Sequence, residues 1–287
     1  MAPAPAFAAL RQKIETALDA ALRLPEAHAG VLALPAFQDA LRHAVKAGGK
    51  RVRPTLTLLC AEVCGATPAQ AEDALHAAVA IELLHSYTLV HDDLPCMDND
   101  TERRGAPTVW AKYGEGTAVL AGDCLQALAF AELGSCRNAA ALLPLLSRSA
   151  TEVIYGQVAD IAAAQTPPTQ WDDALVEYVF LNKTSRLIAT ACALGATAAE
   201  AAPAVVAALE TYGVQLGLAF QYVDDVLDAQ QAQTGNELSA LAVLGEAGKV
   251  RERAEACTRR ALDALKAVPG ATAALAAFAQ SLLQRLV

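Results

Sequence analysis

Two acidic stretches, HDDLPCMDNDTERRG (His91–Gly105) and FQYVDDVLD (Phe220–Asp228), decide how this sequence is interpreted. The first stretch contains four aspartates followed at once by two arginines: Asp92, Asp93, Asp98, Asp100, Arg103 and Arg104. Carboxylates placed close together repel one another and rarely persist without a counter-charge. Hard cations such as Mg²⁺ take oxygen ligands and often share them with the phosphates of a substrate. The two stretches therefore predict a site where a metal ion and a phosphate-bearing molecule meet.

Helix geometry explains the spacing in the second stretch. Asp224 and Asp228 stand four residues apart, so on a helix they share one face. Asp225 points roughly 100° away from that face. A single stretch of this kind is also typical of a solvated helix end, but two of them, both after apolar helical runs, favour a binding site.

The first stretch needs a break in its helix. Asp98 follows Asp92 by six residues, a spacing that does not suit one helical face. Pro95 disfavours helical backbone at the residue before it. We therefore expect the helix to end near Asp93–Leu94 and a turn to bring Asp98 back beside Asp92.

Four motifs together resemble the trans-isoprenyl diphosphate synthases of the polyprenyl synthetase family. The two acidic stretches resemble that family's first and second aspartate-rich motifs. GGKRVRP (Gly48–Pro54) resembles its N-terminal basic motif, and NKTSRL (Asn182–Leu187) resembles its mid-chain Lys-Thr motif. Alone, the basic motif would be explained equally well as a solvated turn before a helix. All four occur in the family's order, and their combination is highly specific.

The resemblance implies a role for each motif. It implies magnesium, three ions in all, bound by Asp92, Asp98, Asp224 and Asp228. Asp93 and Asp225 are expected to support these ligands from behind. The residues that contact the allylic diphosphate and its cation are Arg103, Lys183, Thr184 and Gln221, of which Arg103, Lys183 and Gln221 are the candidate catalytic residues. The residues that hold isopentenyl diphosphate are Lys50, Arg53, His85 and Arg104.

The histidines divide into one site candidate and four others. His85 lies seven residues before Asp92, two helical turns back on the same face, so it can reach the site. The remaining histidines are expected at the surface or in packing contacts: His28, His43, His76 and His91.

The reaction implied by the resemblance is prenyl transfer, in which an allylic diphosphate ionises and isopentenyl diphosphate attacks the cation. Charge that develops on the leaving group must be stabilised by metal ions and cationic side chains. The sequence shows no Ser/His/Asp or Cys/His signature of a nucleophilic enzyme, in keeping with a reaction that needs no side-chain nucleophile.

Product length is expected to depend on the side chains one turn before Asp92, which are Tyr87 and Thr88. An aromatic residue there takes room that a longer chain would need. An aromatic residue at this position, together with two extra residues in the first acidic motif, resembles the pattern of the short-chain bacterial farnesyl diphosphate synthases, also called geranyltranstransferases. We therefore expect fifteen-carbon farnesyl diphosphate, although Tyr87 would also be explained by packing against a neighbouring helix.

Composition predicts an all-α protein. The 287 residues are 54% hydrophobic and only 5% aromatic, which favours helices packed through small side chains. Residues 1–287 show no repeat or linker, so we expect a single domain. The resemblance implies the isoprenoid synthase fold, a helical bundle around a central cavity, and it also implies a homodimer. The predicted helices cover about 7–22, 36–47, 54–65, 68–92, 108–113, 115–134, 139–165, 170–195, 203–230, 239–268 and 271–286.

Charge, cysteine content and hydropathy indicate which partners and which cellular compartment to expect. A net charge of −9 argues against nucleic acid as a partner. The seven cysteines are odd in number and form no CxxC pair, which is typical of a reducing compartment. No signal peptide is evident, and the longest uncharged run, 267–284, is a poor membrane span because it contains Pro269 and Gly270. We therefore expect a cytoplasmic protein without a membrane span.

The sequence departs from the family after Asp228. The family carries a loop rich in Gly and Lys there, whereas this chain has no lysine between Asp228 and Lys249. If Leu244-Gly245 aligns with the family's Leu-Gly pair, Glu237 falls where a phosphate-binding lysine is expected. A carboxylate at that position would repel diphosphate. Three interpretations are open: an active enzyme with a shortened lid, a degenerate or partner-dependent homologue, or a lid whose residues are absent from the chain.

Two other functions compete with chain elongation. A terpene cyclase also ionises a diphosphate but uses one substrate, so GGKRVRP and Arg104 would have no isopentenyl diphosphate to hold. A non-catalytic subunit of a prenyltransferase complex would explain the missing lysine but not the intact acidic stretches. Synthases of geranyl or geranylgeranyl diphosphate are further alternatives.

Overall fold

The computed structural model describes residues 5–23, 28, 31–32, 34–230 and 238–284. These residues form an all-α protein with one two-residue hairpin, which confirms the predicted fold class. The helices are α1 Pro5–Ala21, α2 Leu34–Lys46, α3 Val52–Val63, α4 Pro68–Asp92, α5 Val109–Tyr113, α6 Glu115–Gly134, α7 Ala139–Ala164, α8 Asp173–Val179, α9 Arg186–Ala198, α10 Pro203–Gln230, α11 Ala240–Leu244, α12 Ala247–Ala264 and α13 Ala273–Leu283.

Helix α4 is the longest element of the first half and carries the first acidic stretch at its C-terminal end. It begins with a capping box, in which the Thr67 hydroxyl accepts from the Gln70 backbone N–H and the Gln70 side chain accepts from the Thr67 N–H. Such caps satisfy backbone donors that have no partner in the helix. The helix ends at Asp92, with Asp93 as its C-terminal cap. The predicted end near Asp93–Leu94 is confirmed.

Helix α9 lies deep in the bundle, between α3, α4, α7 and α10. Its close approach to α3 depends on Gly195, where a Cβ would come within 2.1 Å of the Thr57 carbonyl oxygen. Small residues therefore set the spacing of these helices, as the Ala-rich composition predicted.

Two segments that were predicted as single continuous helices are divided in the structure, so those two predictions were wrong. The predicted helix 170–195 is a 3₁₀ turn at Pro168–Gln170, then α8, then a π-helical turn at Phe180–Ser185, then α9. The predicted helix 239–268 divides at Gly245, which adopts a left-handed conformation (φ 73°) that ends α11. Helical propensity does not show the π turn, whereas Gly245 is a residue that commonly ends helices, and the prediction passed over that signal.

The hairpin follows the acidic loop. Strands β1 (Glu102–Arg103) and β2 (Ala106–Pro107) pair antiparallel, with Glu102 opposite Pro107 and Arg103 opposite Ala106. The two turn residues, Arg104 and Gly105, both have positive φ (56° and 77°), the conformation that tight two-residue hairpins require. This hairpin fixes the direction of the two arginines that follow the aspartates.

Two described helices, α6 and α10, have the length and apolar composition that a membrane crossing needs. Each packs one face against other helices, α6 against α4 and α10 against α9 and α12. Core helices of globular proteins meet the same criterion. The observation is weak evidence for a membrane span, and the expectation of none stays a prediction.

A buried ion-pair network joins α1, α4 and the turn before α3. Arg51 adopts a left-handed conformation (φ 52°) and is almost fully buried. Its guanidinium donates to Glu82 at 2.8 Å, to Glu15 at 2.7 Å and to the Val45 carbonyl at 2.8 Å. The Glu82 side chain is only 5% exposed. Arg51, which carried no predicted role, therefore anchors the basic loop to the core.

We predict that Glu82→Ala destabilises the fold by about 3–5 kcal/mol, because it leaves the buried Arg51 charge with one carboxylate fewer. Urea denaturation measures the change in the free energy of unfolding. Asp263→Ala is the control, since its pair with Lys266 is exposed and such pairs contribute about 0–1 kcal/mol. Equal losses in the two variants would contradict the structural role of the network.

Candidate active site

The loop after α4 folds back on the helix end. The Asp98 N–H donates to the Asp92 carbonyl at 2.8 Å, and the Asn99 N–H donates to the Leu94 carbonyl at 3.0 Å. Asn99 takes a positive φ (56°), a conformation that Asn tolerates better than most residues. The predicted turn is confirmed, and it sets Asp98 beside Asp92.

Lys183 supplies a counter-charge for this acidic loop. Its Nζ lies 2.5 Å from the Asp160 carboxylate. Burial lowers the pKa of Lys183, but attraction from Asp160, Asp92 and Asp98 outweighs burial and the pKa is raised. Burial raises the pKa of Asp92 to about 7, while Lys183 acts to lower it and Asp98 to raise it. One lysine thus faces three carboxylates, an arrangement to which a further cation would be attracted.

Asp160 is a residue of this cluster that sequence reasoning missed. It lies on α7, and the same face of that helix approaches the π-helical turn that carries Lys183. A Cβ on Gly156 would come within 2.4 Å of the Lys183 backbone nitrogen, so the contact requires glycine there. The available signal was a lone carboxylate, four residues after a glycine, in the otherwise uncharged run from Val153 to Ala164.

The two arginines of the hairpin point in different directions. The Arg103 Nε donates to Asp93 at 2.6 Å, and its Nη2 donates to Asp100 at 3.4 Å. The Arg104 Nη1 donates to the Gly48 carbonyl at 3.0 Å. The hairpin therefore connects the acidic loop to the basic loop before α3, and these motifs, distant in sequence, form one surface.

Besides Arg51, the basic motif carries two more cations, Lys50 before α3 and Arg53 in its first turn. Lys50 is exposed, whereas Arg53 is partly buried, and its Nε is a buried atom with no hydrogen-bond partner among the described residues. Burial lowers the pKa of Arg53 to about 10, against the attraction of Glu82. Burial also lowers the pKa of His85 well below its usual value, and Arg53 lowers it further. His85 is therefore neutral at pH 7 and offers one donor and one acceptor nitrogen.

A cavity of about 470 Å³ lies between α4, α7 and the π-helical turn. Seven of the predicted site residues line it: Arg53, His85, Tyr87, Thr88, Asp92, Lys183 and Thr184. Apolar side chains supply much of the rest: Leu89, Met97, Val153, Ile154, Val158, Ile161 and Leu187. Seven other predicted residues are not part of this lining: Lys50, Asp98, Arg103, Arg104, Gln221, Asp224 and Asp228.

The second acidic stretch lies in about the last three turns of α10. Asp225 accepts from the Ala240 N–H at 2.6 Å, so it joins α10 to the start of α11. Burial raises the pKa of Asp225 to about 7. Asp224 is half-buried and Asp228 is exposed, and helical geometry places these two on one face. The predicted division of labour, with Asp225 turned away from the other two, matches this hydrogen bond.

The donor set of the two stretches fits a hard cation such as Mg²⁺, because it consists of carboxylate oxygens. Within the described ranges, no three His, Cys, Asp or Glu side chains stand close enough to hold an ion by themselves. A substrate phosphate would have to complete the coordination, as is usual for Mg²⁺. The assignment of Asp92, Asp98, Asp224 and Asp228 as ligands stays a prediction.

Residues 231–237 of the segment that departs from the family, which include Glu237, lie outside the described residues. The three interpretations of that segment stay predictions. The residues after it are described: Leu244 ends α11 and Gly245 follows in a left-handed conformation.

The remaining predictions concern the other histidines. His43 Nε2 contacts the Pro107 carbonyl, His76 Nδ1 contacts Glu132, and His91 Nε2 contacts the Val119 carbonyl. These are packing contacts, as predicted, although the side chain of His91 also forms part of the cavity wall.

Comparisons with known proteins support the all-α fold and the family that the four motifs resemble. Residues 34–238 match the model of the polyprenyl synthetase family. The structure resembles an FPP/GFPP synthase from Zymomonas mobilis, with a TM-score of 0.82 and 30% identity over 97% of this chain and 96% of that one. It also resembles a geranyltranstransferase from Thermotoga maritima, with a TM-score of 0.81 and 27% identity over 98% of this chain and 97% of that one.

Curated relatives point to the same family. A chloroplastic geranylgeranyl pyrophosphate synthase of Capsicum annuum is 38% identical over 227 residues, 76% of this chain and 58% of that protein. Geranylgeranyl pyrophosphate synthase 12 of Arabidopsis thaliana is 38% identical over 206 residues, 69% of this chain and 56% of that protein. The chain thus spans little more than half the length of these relatives. Since the family model covers well over half of the sequence, the chain belongs to the polyprenyl synthetase family.

Proposed function

We propose that the protein is a trans-prenyltransferase that condenses isopentenyl diphosphate with dimethylallyl or geranyl diphosphate. One observation carries the proposal: Arg53, His85, Asp92 and Lys183 line a single cavity whose other walls are largely apolar. Charged groups serve the diphosphates, and apolar walls accept the prenyl chain. Family membership supports the reaction class, and the relatives' names include prenyl diphosphate synthases of several product lengths.

The reaction begins when the C1–O bond of the allylic diphosphate breaks and its electron pair leaves with the diphosphate. The double-bond electrons of isopentenyl diphosphate then form a new bond to C1, and a proton leaves the neighbouring carbon. Mg²⁺, held by Asp92, Asp98, Asp224 and Asp228, would supply charge neutralisation for the departing diphosphate. Arg103, Lys183, Thr184 and Gln221 are proposed to contact that group.

The second substrate is proposed to bind at the basic loop. The buried Arg53 Nε has no partner among the described residues, and such a charged group is stabilised when a phosphate oxygen accepts its hydrogen bond. Neutral His85 lies close enough to Arg53 for the guanidinium to lower its pKa. Lys50 and Arg104 stand at the exposed side of the same loop. Two diphosphate sites favour chain elongation over cyclisation of a single substrate.

We propose farnesyl diphosphate as the main product. Tyr87 precedes Asp92 by five residues, which is about 7.5 Å along α4. Its ring is 8% exposed, packs edge-on against His91 at 5.3 Å, and lines the cavity with Thr88. A second candidate product is geranylgeranyl diphosphate, because the curated relatives named above make it according to their names. Tyr87 decides between them if it blocks the growing chain.

The protein is further proposed to be a homodimer with a single domain. Large apolar side chains that do not line the cavity are exposed on α6 and α7: Val119, Leu120 and Tyr155. Exposed apolar patches of this kind favour association. A cytoplasmic location is also proposed; the curated plant relatives are named chloroplastic and do not support that location for the whole family.

The first test is incubation with labelled isopentenyl and dimethylallyl diphosphates and Mg²⁺, followed by product chromatography. We expect chain elongation, abolished by EDTA. Asp92→Asn should lower kcat/KM about 100-fold or more, because it removes a carboxylate from the proposed metal site. Asp39→Asn is the control, since Asp39 is exposed on α2. Cyclised product, or none from the unmodified protein, would refute the proposed function.

The second test separates the two substrates. Arg53→Gln should raise the KM for isopentenyl diphosphate about 30-fold, since loss of one partner of a buried charge contact costs about 2–5 kcal/mol. The KM for the allylic substrate should change little. Steady-state kinetics with each substrate varied in turn measures both values, and Arg42→Gln on exposed α2 is the control. An equal rise in both KM values would remove the specific role of Arg53.

The third test concerns product length. Tyr87→Ala should shift the main product from fifteen to twenty carbons or more, because it opens room along α4. Chromatography of the dephosphorylated products measures the distribution. Tyr178→Ala, which truncates an exposed tyrosine on α8, should leave it unchanged. An unaltered profile in the Tyr87 variant would show that another residue stops the chain.

A further inference from the structure

Gln157 on α7 carries a buried side-chain amide. The residue is only 8% exposed. Neither its amide oxygen nor its amide nitrogen has a hydrogen-bond partner among the described residues. A buried amide left unpaired destabilises the protein. Gln157 lines the cavity together with Lys183 and Thr184. A molecule in the cavity is therefore the natural partner of this amide.

The backbone of α7 fixes the position of Gln157. The preceding residue, Gly156, lets α7 pack directly against the π-helical turn, within a distance that a Cβ would violate. One helical turn later, Asp160 holds the Lys183 ammonium. Gln157 is thus tied, on both sides in sequence, to the segment that carries Lys183 and Thr184. This packing gives the amide a defined location before any ligand binds.

The chemistry of the lining indicates which part of a substrate Gln157 meets. The nearby cationic side chains, Arg53 and Lys183, are hydrogen-bond donors suited to diphosphate oxygens. The flanking side chains on α7 that line the cavity, Val153 and Ile161, are apolar. An amide oxygen among apolar groups is a preorganised negative dipole, and such dipoles stabilise positive charge strongly in low-dielectric sites.

We propose that Gln157 is a catalytic residue whose amide oxygen faces the positive charge that develops on the allylic unit. When the C1–O bond breaks, its electron pair leaves with the diphosphate and the prenyl fragment becomes a cation. The amide dipole stabilises that cation until the double-bond electrons of isopentenyl diphosphate form the new carbon–carbon bond and a proton is lost. This inference rests on the proposed prenyl transfer and adds a residue outside the four sequence motifs.

Gln157→Met tests the proposal, because it keeps the length of the side chain and removes the dipole. We expect kcat to fall about tenfold to 100-fold, with the KM for each substrate within about threefold of the unmodified protein. Gln215→Met is the matched control: Gln215 also has a buried amide oxygen without a partner in the described structure, but it does not line the cavity. Its kcat should stay within about twofold.

A binding measurement separates a catalytic role from a structural one. Calorimetry with Mg²⁺ and pyrophosphate compares an ammonium analogue of the allylic cation with its uncharged carbon isostere. Gln157→Met should weaken binding of the ammonium analogue about tenfold and leave the isostere unchanged. Equal weakening of both would show that Gln157 only supports the cavity, and would overturn the proposal.

The remaining outcomes are also decisive. If Gln157→Met leaves kcat unchanged and the unmodified protein forms product, the role of Gln157 is overturned and the proposed function is upheld. An inactive unmodified protein would overturn both. If Gln157→Met does not fold, Gln157→Asn takes its place, because it keeps an amide and draws it back by one methylene; the same selective loss of the ammonium analogue is then expected.

Discussion

The attraction between Lys183 and three carboxylates is the interaction on which the site depends. Asp92 and Asp98 end α4 and begin the loop after it, and Asp160 reaches the same lysine from α7. Without a counter-charge, carboxylates this close would repel one another. The lysine is held in place because Gly156 lets α7 contact the π-helical turn. A single glycine and a local break in helical geometry thus support the charge balance beside the cavity.

The basic side of the site rests on a separate network. Arg51 is buried in a left-handed conformation, paired with Glu82 and Glu15, and its neighbours in the same motif are therefore presented outward or into the cavity. Glu82 also attracts Arg53 and Arg104. One buried carboxylate on α4 gathers arginines that would otherwise repel. Helix α4 therefore serves both sides: it carries Glu82 and His85 at its middle and Asp92 at its end.

Much of the site could be predicted because its motifs are local. The end of α4 follows from Pro95, the return of Asp98 to Asp92 follows from the turn after it, and seven predicted residues line one cavity. The predictions failed where packing overrides propensity. The π-helical turn interrupts a segment with helical composition throughout. The division at Gly245 is different, because a glycine that ends a helix is a local signal that the prediction passed over. Asp160 and Gln157 gave little signal, since a single polar residue in an apolar helix is ordinarily assigned to its exposed face.

By itself, the sequence determined the all-α class, the positions of the four motifs and the residues that carry charge, because these depend on composition and on spacing of a few residues. The tertiary structure alone decided the partners. It paired Lys183 with Asp160, Arg51 with Glu82, and Asp225 with the backbone of Ala240. The physical reason is that such pairs join residues far apart along the chain, and their distances depend on how closely whole helices pack, which no local pattern encodes.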